Sequence, residues 1–155
     1  MLYDDFVYKL TTIAPATAYS IDLPKDLEWS DESTWSPIEQ SAEYSLTGAL
    51  LIQEGVKLKG RTITLLGKDD MAWVDRTDFD TLLAMRNLLG ATMTFQFIQR
   101  SWINDAFAYT NPRFTYTVSF NHTEGSAVEL ECIKRWDNFE PDQWFRIRSI
   151  KLMEV

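Results

Sequence analysis

The stretch that most constrains this chain is residues 60–100, GRTITLLGKDDMAWVDRTDFDTLLAMRNLLGATMTFQFIQR, because its apolar period changes from two to helical and back to two. Over residues 60–66, Ile63 and Leu65 alternate with Thr62 and Thr64, as in a strand with one buried face. Gly67-Lys68-Asp69-Asp70 then breaks the strand. Thr77 stands where the N-cap of a helix would stand. Asp80 follows in the capping-box position, and Asp78 adds negative charge near the positive end of the helix dipole. Phe79, Leu82, Leu83 and Leu89 share one stripe at helical spacing, and Gly90 is placed to take the left-handed conformation that ends a helix. Residues 92–99 return to alternation, with Met93, Phe95 and Phe97 on one face. The expectation is strand, helix, strand, with one buried face under the helix.

Alternation continues elsewhere. Residues 43–53, EYSLTGALLIQ, read as a strand with Gly48 at a bulge or close approach, and Glu54-Gly55 reads as a turn, which makes residues 43–66 a hairpin. Residues 113–120 set Phe114, Tyr116, Val118 and Phe120 against Thr115, Thr117 and Ser119. After a turn containing Gly125, residues 127–135 set Val128, Leu130 and Cys132 against Glu129 and Glu131. In residues 144–153, Phe145 and Ile147 are out of phase by one with Ile150 and Leu152, so a bulge is expected near Ser149. Residues 1–12, with Leu2, Phe6, Val7 and Leu10, suit a strand or a short helical turn. The sum is about six or seven strands and one helix: a mainly β chain, either a β-sandwich or a curled antiparallel sheet with the helix packed on it.

Two stretches interrupt the pattern. Residues 14–40 carry Pro15, Pro24 and Pro37 among Ser, Asp and Glu, together with Trp29 and Trp35; residues 101–112 hold Trp102, Phe107 and Tyr109. Both read as irregular arms of a single β-rich domain spanning 1–155. Tryptophan is costly to leave in water and enriched at interface centres, so Trp29 and Trp35 are expected to dock on a neighbour or to fold back on their own chain.

Composition narrows the function classes. With 155 residues the chain can bury a core without staples, and its six Trp and nine Phe favour a β-rich core or a large packed interface. A net charge of −8 argues against a surface built to bind nucleic acid, which needs clustered Lys and Arg. The one cysteine, Cys132, excludes a disulfide within the chain and reads as an inert core thiol. The first ten residues, MLYDDFVYKL, lack the basic and apolar regions of a signal peptide, and no segment reaches the length of a membrane span. Synthesis in a cytoplasm is expected. Asn121-His122-Thr123 matches a glycosylation sequon and is read as chance.

The chain offers little for catalysis. One histidine and one cysteine are too few for a zinc site, and Asp69-Asp70 reads as a turn and not as a cation loop. His122 lies near Ser119 and Ser126 without a nucleophile elbow. Glu129 and Glu131 share a strand face in a layout that could serve glycoside hydrolysis, but a solvated face is the plainer reading. Arg146 and Arg148, with Trp144 and Lys151, could bind sugar or single-stranded nucleic acid; cross-strand pairing with Glu129 and Glu131 explains them more simply. Gly60 and Gly67 flank a strand and open no helix, so no phosphate loop forms. Gly60 suits tight chain passage, and Arg61 suits either a carboxylate partner or an ordinary surface position. No catalytic residue, metal ligand or cofactor is expected, and the interface candidates are Trp29, Trp35, Gly60, Arg61, Trp73 and Trp102.

The run Gly60-Arg61-Thr62-Ile63-Thr64-Leu65, followed by Trp73, a capped helix closed by glycine and a Thr-rich strand, resembles the distal tail protein family of long-tailed, siphovirus-type bacteriophages. The similarity covers residues 45–120, and the closing strand 144–155 fits the same scheme. The resemblance implies a belt-type β-sandwich in a hexameric ring at the tail tip, a virion structural protein of the baseplate. Its partners would be other copies, the tail tube protein above and the baseplate hub below, with no catalysis, no membrane and no specific nucleic-acid binding. The acidic chain would line the channel through which DNA passes. Longer members carry a second domain for which this chain has no room, so a direct receptor-binding role is not implied. The alternatives are a tail-completion or tail-tube ring protein and, in another class, a carbohydrate-binding module with its tryptophans on a flat platform.

Overall fold

Residues 92–103 and 106–120 pair as two long antiparallel strands, with a break in register after Phe97. The computed structural model describes residues 4–15, 18–133 and 144–155. In chain order the elements are β1 (Asp4–Ala14), β2 (Ser20–Leu23), β3 (Glu28–Trp29), β4 (Ile38–Tyr44), β5 (Leu50–Val56) and β6 (Thr62–Leu66). Then come β7 (Trp73–Val74), α1 (Arg76–Arg86), β8 (Thr92–Ile103), β9 (Ala106–Phe120), β10 (Val128–Cys132) and β11 (Phe145–Glu154). The chain is mainly β with one helix among the described residues. Nine strands form one antiparallel sheet in the order β2-β1-β8-β9-β11-β6-β3, with β10 and β7 also paired to β11, while β4 and β5 form a second, two-stranded sheet.

The large sheet curls on itself. β3 ends the strand order, yet Trp29 meets Phe114 at 5.2 Å, Phe95 at 6.1 Å and Tyr116 at 6.2 Å, all on the central strands β8 and β9. Leu10, Ile63, Leu65, Met93, Phe95 and Leu152 fill the space so enclosed. α1 adds Leu82 and Met85 to this core and stacks Phe79 on Phe145 of β11 at 3.9 Å. The expected alternation in β6 holds, since Ile63 and Leu65 are fully buried. The expected bulge in β11 also holds: Glu129 faces Ser149 and Leu130 faces Ile147, which leaves Arg148 as the extra residue.

The helix begins earlier than expected. Its N-cap is Asp75, not Thr77, because the Asp75 carboxylate accepts the N–H of Asp78 at 2.8 Å as β7 ends. Asp80 forms no capping box and pairs with Arg76 one turn back at 3.3 Å. Asn87 is the C-cap, so Leu89 lies beyond the helix and is exposed; Met85 supplies the buried contact in its place. Gly90 has the expected positive φ of 68°, but it turns the chain toward β8 after the helix has ended.

Three other expectations are corrected. Residues 43–53 are not one strand. Ser45 Oγ accepts the N–H of Ala49 at 3.0 Å and Gly48 takes a φ of 84°, so residues 45–49 turn the chain between β4 and β5. Glu54 and Gly55 lie inside β5, and β6 pairs with β11 and β3 instead of with β5. Residues 14–40 are not a loose arm, because Ile21, Leu23, Leu27 and Trp29 are buried in the core. Residues 101–110 are not irregular either. There β8 and β9 stay paired out to a two-residue turn at Asn104 and Asp105, whose φ values of 51° and 60° suit a primed hairpin turn; only Asn111 and Pro112 fit the irregular reading, in a break of register where Asn111 takes a φ of 55°. The first three residues of the expected 1–12 element and residues 134–135 of the expected 127–135 strand lie outside the described residues.

Candidate functional site

The β4–β5 hairpin is the feature that the rest of the fold does not account for. Every residue of both strands is exposed, and among the described residues the two strands pair only with each other. Its register places Ile38 opposite Val56, Gln40 opposite Glu54, Ala42 opposite Ile52 and Tyr44 opposite Leu50. These eight residues share one face. Glu39, Ser41, Glu43, Gln53 and Gly55 occupy the other, with Leu51 as its one large apolar residue. The hairpin is therefore amphipathic, and its apolar face lies open, with Tyr44 78% exposed and Leu46 at the turn fully exposed. A two-stranded hairpin is marginal in water by itself, and contiguous apolar surface of this kind marks an interaction site.

Its stem is firmly held. The Asp31 carboxylate accepts the Trp29 indole N–H at 2.8 Å, the Thr64 N–H at 2.9 Å and the Thr64 hydroxyl at 3.0 Å, which pins the incoming chain to β6. On the outgoing side Arg61 donates to the Tyr116 hydroxyl at 2.9 Å and to the Glu32 carbonyl at 2.7 Å. Its guanidinium lies 4.7 Å from the Trp29 ring, 5.3 Å from Tyr116 and 5.8 Å from Trp35. Lys57 N–H donates to the Pro37 carbonyl at 2.7 Å and closes the base of the hairpin.

The six residues singled out from the sequence divide accordingly. Trp29, Trp35 and Arg61 form one cluster, and Gly60 precedes it with a φ of 93°. This cluster anchors the hairpin internally: Trp29 is only 9% exposed, so it docks on its own chain and not on a neighbour. Two expectations for Gly60-Arg61 fail. A side chain at Gly60 would meet nothing within 4 Å, so the turn needs the positive φ and not a tight passage, and Arg61 finds a phenol and a carbonyl in place of either the carboxylate partner or the ordinary surface position that the sequence suggested. The close approach belongs to Gly67, where a Cβ would stand 1.8 Å from the Ile147 carbonyl oxygen. Trp73 is 47% exposed on β7, apart from that cluster, and borders the groove that holds Asp69 and Arg146. Trp102 sits near the end of the β8–β9 ribbon, packed edge-on against Phe107 at 4.6 Å.

Several charged groups off the hairpin are engaged in structural pairs. Arg146 bridges Glu131 and Asp69, which bears out one rung of the expected ladder and the turn reading of Asp69; the bulge removes Arg148 from register with Glu129. Asp22 accepts from Lys9 at 3.3 Å, from Arg100 at 3.4 Å and from the Tyr109 hydroxyl at 2.6 Å. Burial and then the Asp22 contact push the Tyr109 phenol up to about 12. No group of three or more His, Cys, Asp or Glu side chains suited to a metal ion occurs among the described residues. No described helix is long and apolar enough to cross a membrane.

The apolar stripe of the hairpin was missed in the sequence although its signal is there. Ile38, Gln40, Ala42 and Tyr44 alternate, and so do Leu50, Ile52, Glu54 and Val56, but the two runs were joined across the turn. No protein-family model, curated protein or solved structure matches the chain.

Proposed function

We propose that this chain is a structural subunit of a ring at the distal end of a long bacteriophage tail, joining the tail tube to the baseplate hub and lining the DNA channel. The observation that carries the reading is the β4–β5 hairpin, an amphipathic arm held rigidly at its stem and bare along its apolar face. Such an arm is stabilised only when another surface covers it, and repeated head-to-tail contacts between copies close into a ring when the rotation permits. A mainly β chain with one helix supports the belt domain that the resemblance over residues 45–120 implies.

A carbohydrate platform fares worse. Trp29 is buried against Phe95, Phe114 and Tyr116, so it offers no exposed ring to a sugar.

Gold-labelled antibody against the chain, applied to particles of the phage that encodes it, tests the assignment. Label at the tail tip supports it. Label along the whole tube or at the head end would move the ring elsewhere, and particles without label would remove the chain from the virion.

A further inference from the structure

We infer that the groove between α1 and β10 receives the β4–β5 hairpin of a second copy of this chain. The inference rests on the ring reading above and names the joint by which one subunit holds the next.

The groove is built for an apolar, acidic guest. Phe79 and Leu83 of α1 and Val128 and Leu130 of β10 line it, and Arg86 and Arg148 flank it, in a volume of about 530 Å³. Ser126 and Glu129 complete the lining, so two guanidiniums face one carboxylate. The bulge in β11 frees Arg148 from the cross-strand register that occupies Arg146. Both sides of this groove carry apolar surface that is only half-buried at Phe79, Leu83 and Leu130.

The hairpin face is the matching half. Three of its four cross-strand pairs are apolar, and the fourth sets Glu54 against Gln40, whose amide donates to the carboxylate at 2.6 Å. Covering that face with a purely apolar surface would desolvate the Glu54 charge with only the Gln40 amide to compensate it. A surface with an apolar floor and surplus arginine removes the conflict. The α1–β10 groove has that composition. Hairpin and groove are different surfaces, so the contact is heterologous and propagates from copy to copy, as a ring requires.

Two variants in a Cys132→Ser background test the joint: Ile52→Cys in one population, Leu83→Cys in a size-tagged second population, mixed and oxidised. A disulfide between the two populations is expected, with little from Ser41→Cys on the opposite hairpin face. Charge reversal supplies the second readout. Glu54→Arg or Arg148→Glu alone should weaken association by about tenfold or more, and the pair together should restore most of it. Rings that form with neither the selective disulfide nor the charge coupling would overturn the groove assignment and leave the ring reading standing. A wild-type chain that stays monomeric at every concentration would overturn both.

Discussion

The Arg61 guanidinium lies 4.7 Å from the Trp29 ring, and through this contact the exit of the hairpin is locked to its entrance. The same guanidinium bonds the Tyr116 hydroxyl and the Glu32 carbonyl, and its Nε is buried with no hydrogen-bond partner among the described residues. Arg61→Ala should lower stability by about 2 kcal/mol, read from denaturant midpoints. Arg61→Lys should recover less than half of that loss, because an ammonium cannot stack and fork at once. Equal stability for the lysine variant and the wild type would show that charge alone matters here.

Gly67 lies where β6 ends, and no side chain fits between it and the Ile147 carbonyl. Its own N–H donates to the Arg148 carbonyl at 3.0 Å, so the two backbones cannot separate without losing a bond. Gly67→Ala should cost about 1–3 kcal/mol, whereas Gly55→Ala, with nothing within 4 Å, should cost far less. Thermal melts of the two variants make the comparison.

The Asp78 carboxyl is raised above its ordinary value, first by burial and then by the charges of Asp75 and Asp22. The folded chain thus holds this proton more tightly than the unfolded chain does. Stability from this group is full below the ordinary carboxyl pKa and falls as pH rises through the raised one. Asp78→Asn should therefore be more stable than the wild type at neutral pH, and the difference should vanish in acid. Chemical denaturation at several pH values gives the answer; a difference that grows in acid would reverse the sign assigned to the group.

The sequence was most legible where one face is buried and the other wet. Ile63 and Leu65, Met93 and Phe95, and Val118 and Phe120 alternate because the core takes every second residue. The bulge beside Ser149 could be read because a phase slip of one moves a whole strand to the wrong face. Residues 20–29 were missed because β2 and β3 are too short to show a period, and their place in the core depends on the sheet curling over them. The N-cap was misplaced because Asp75 and Thr77 are both competent caps, and only the end of β7 decides between them. Arg61 was identified as a site residue, but its partners Tyr116 and Glu32 are distant in sequence and could not be named. The hairpin stripe was hidden for the opposite reason: its alternation is clear, yet nothing among the described residues covers it.

Assembly should depend on the open face of the hairpin. Native mass spectrometry over a concentration series, on the wild type and on Ile52→Asp with its fold verified by circular dichroism, measures this directly. The wild type should form a closed oligomer, and the variant should remain monomeric with unchanged thermal stability, since Ile52 makes no part of the core. An Ile52→Asp chain that assembles as well as the wild type would contradict the account.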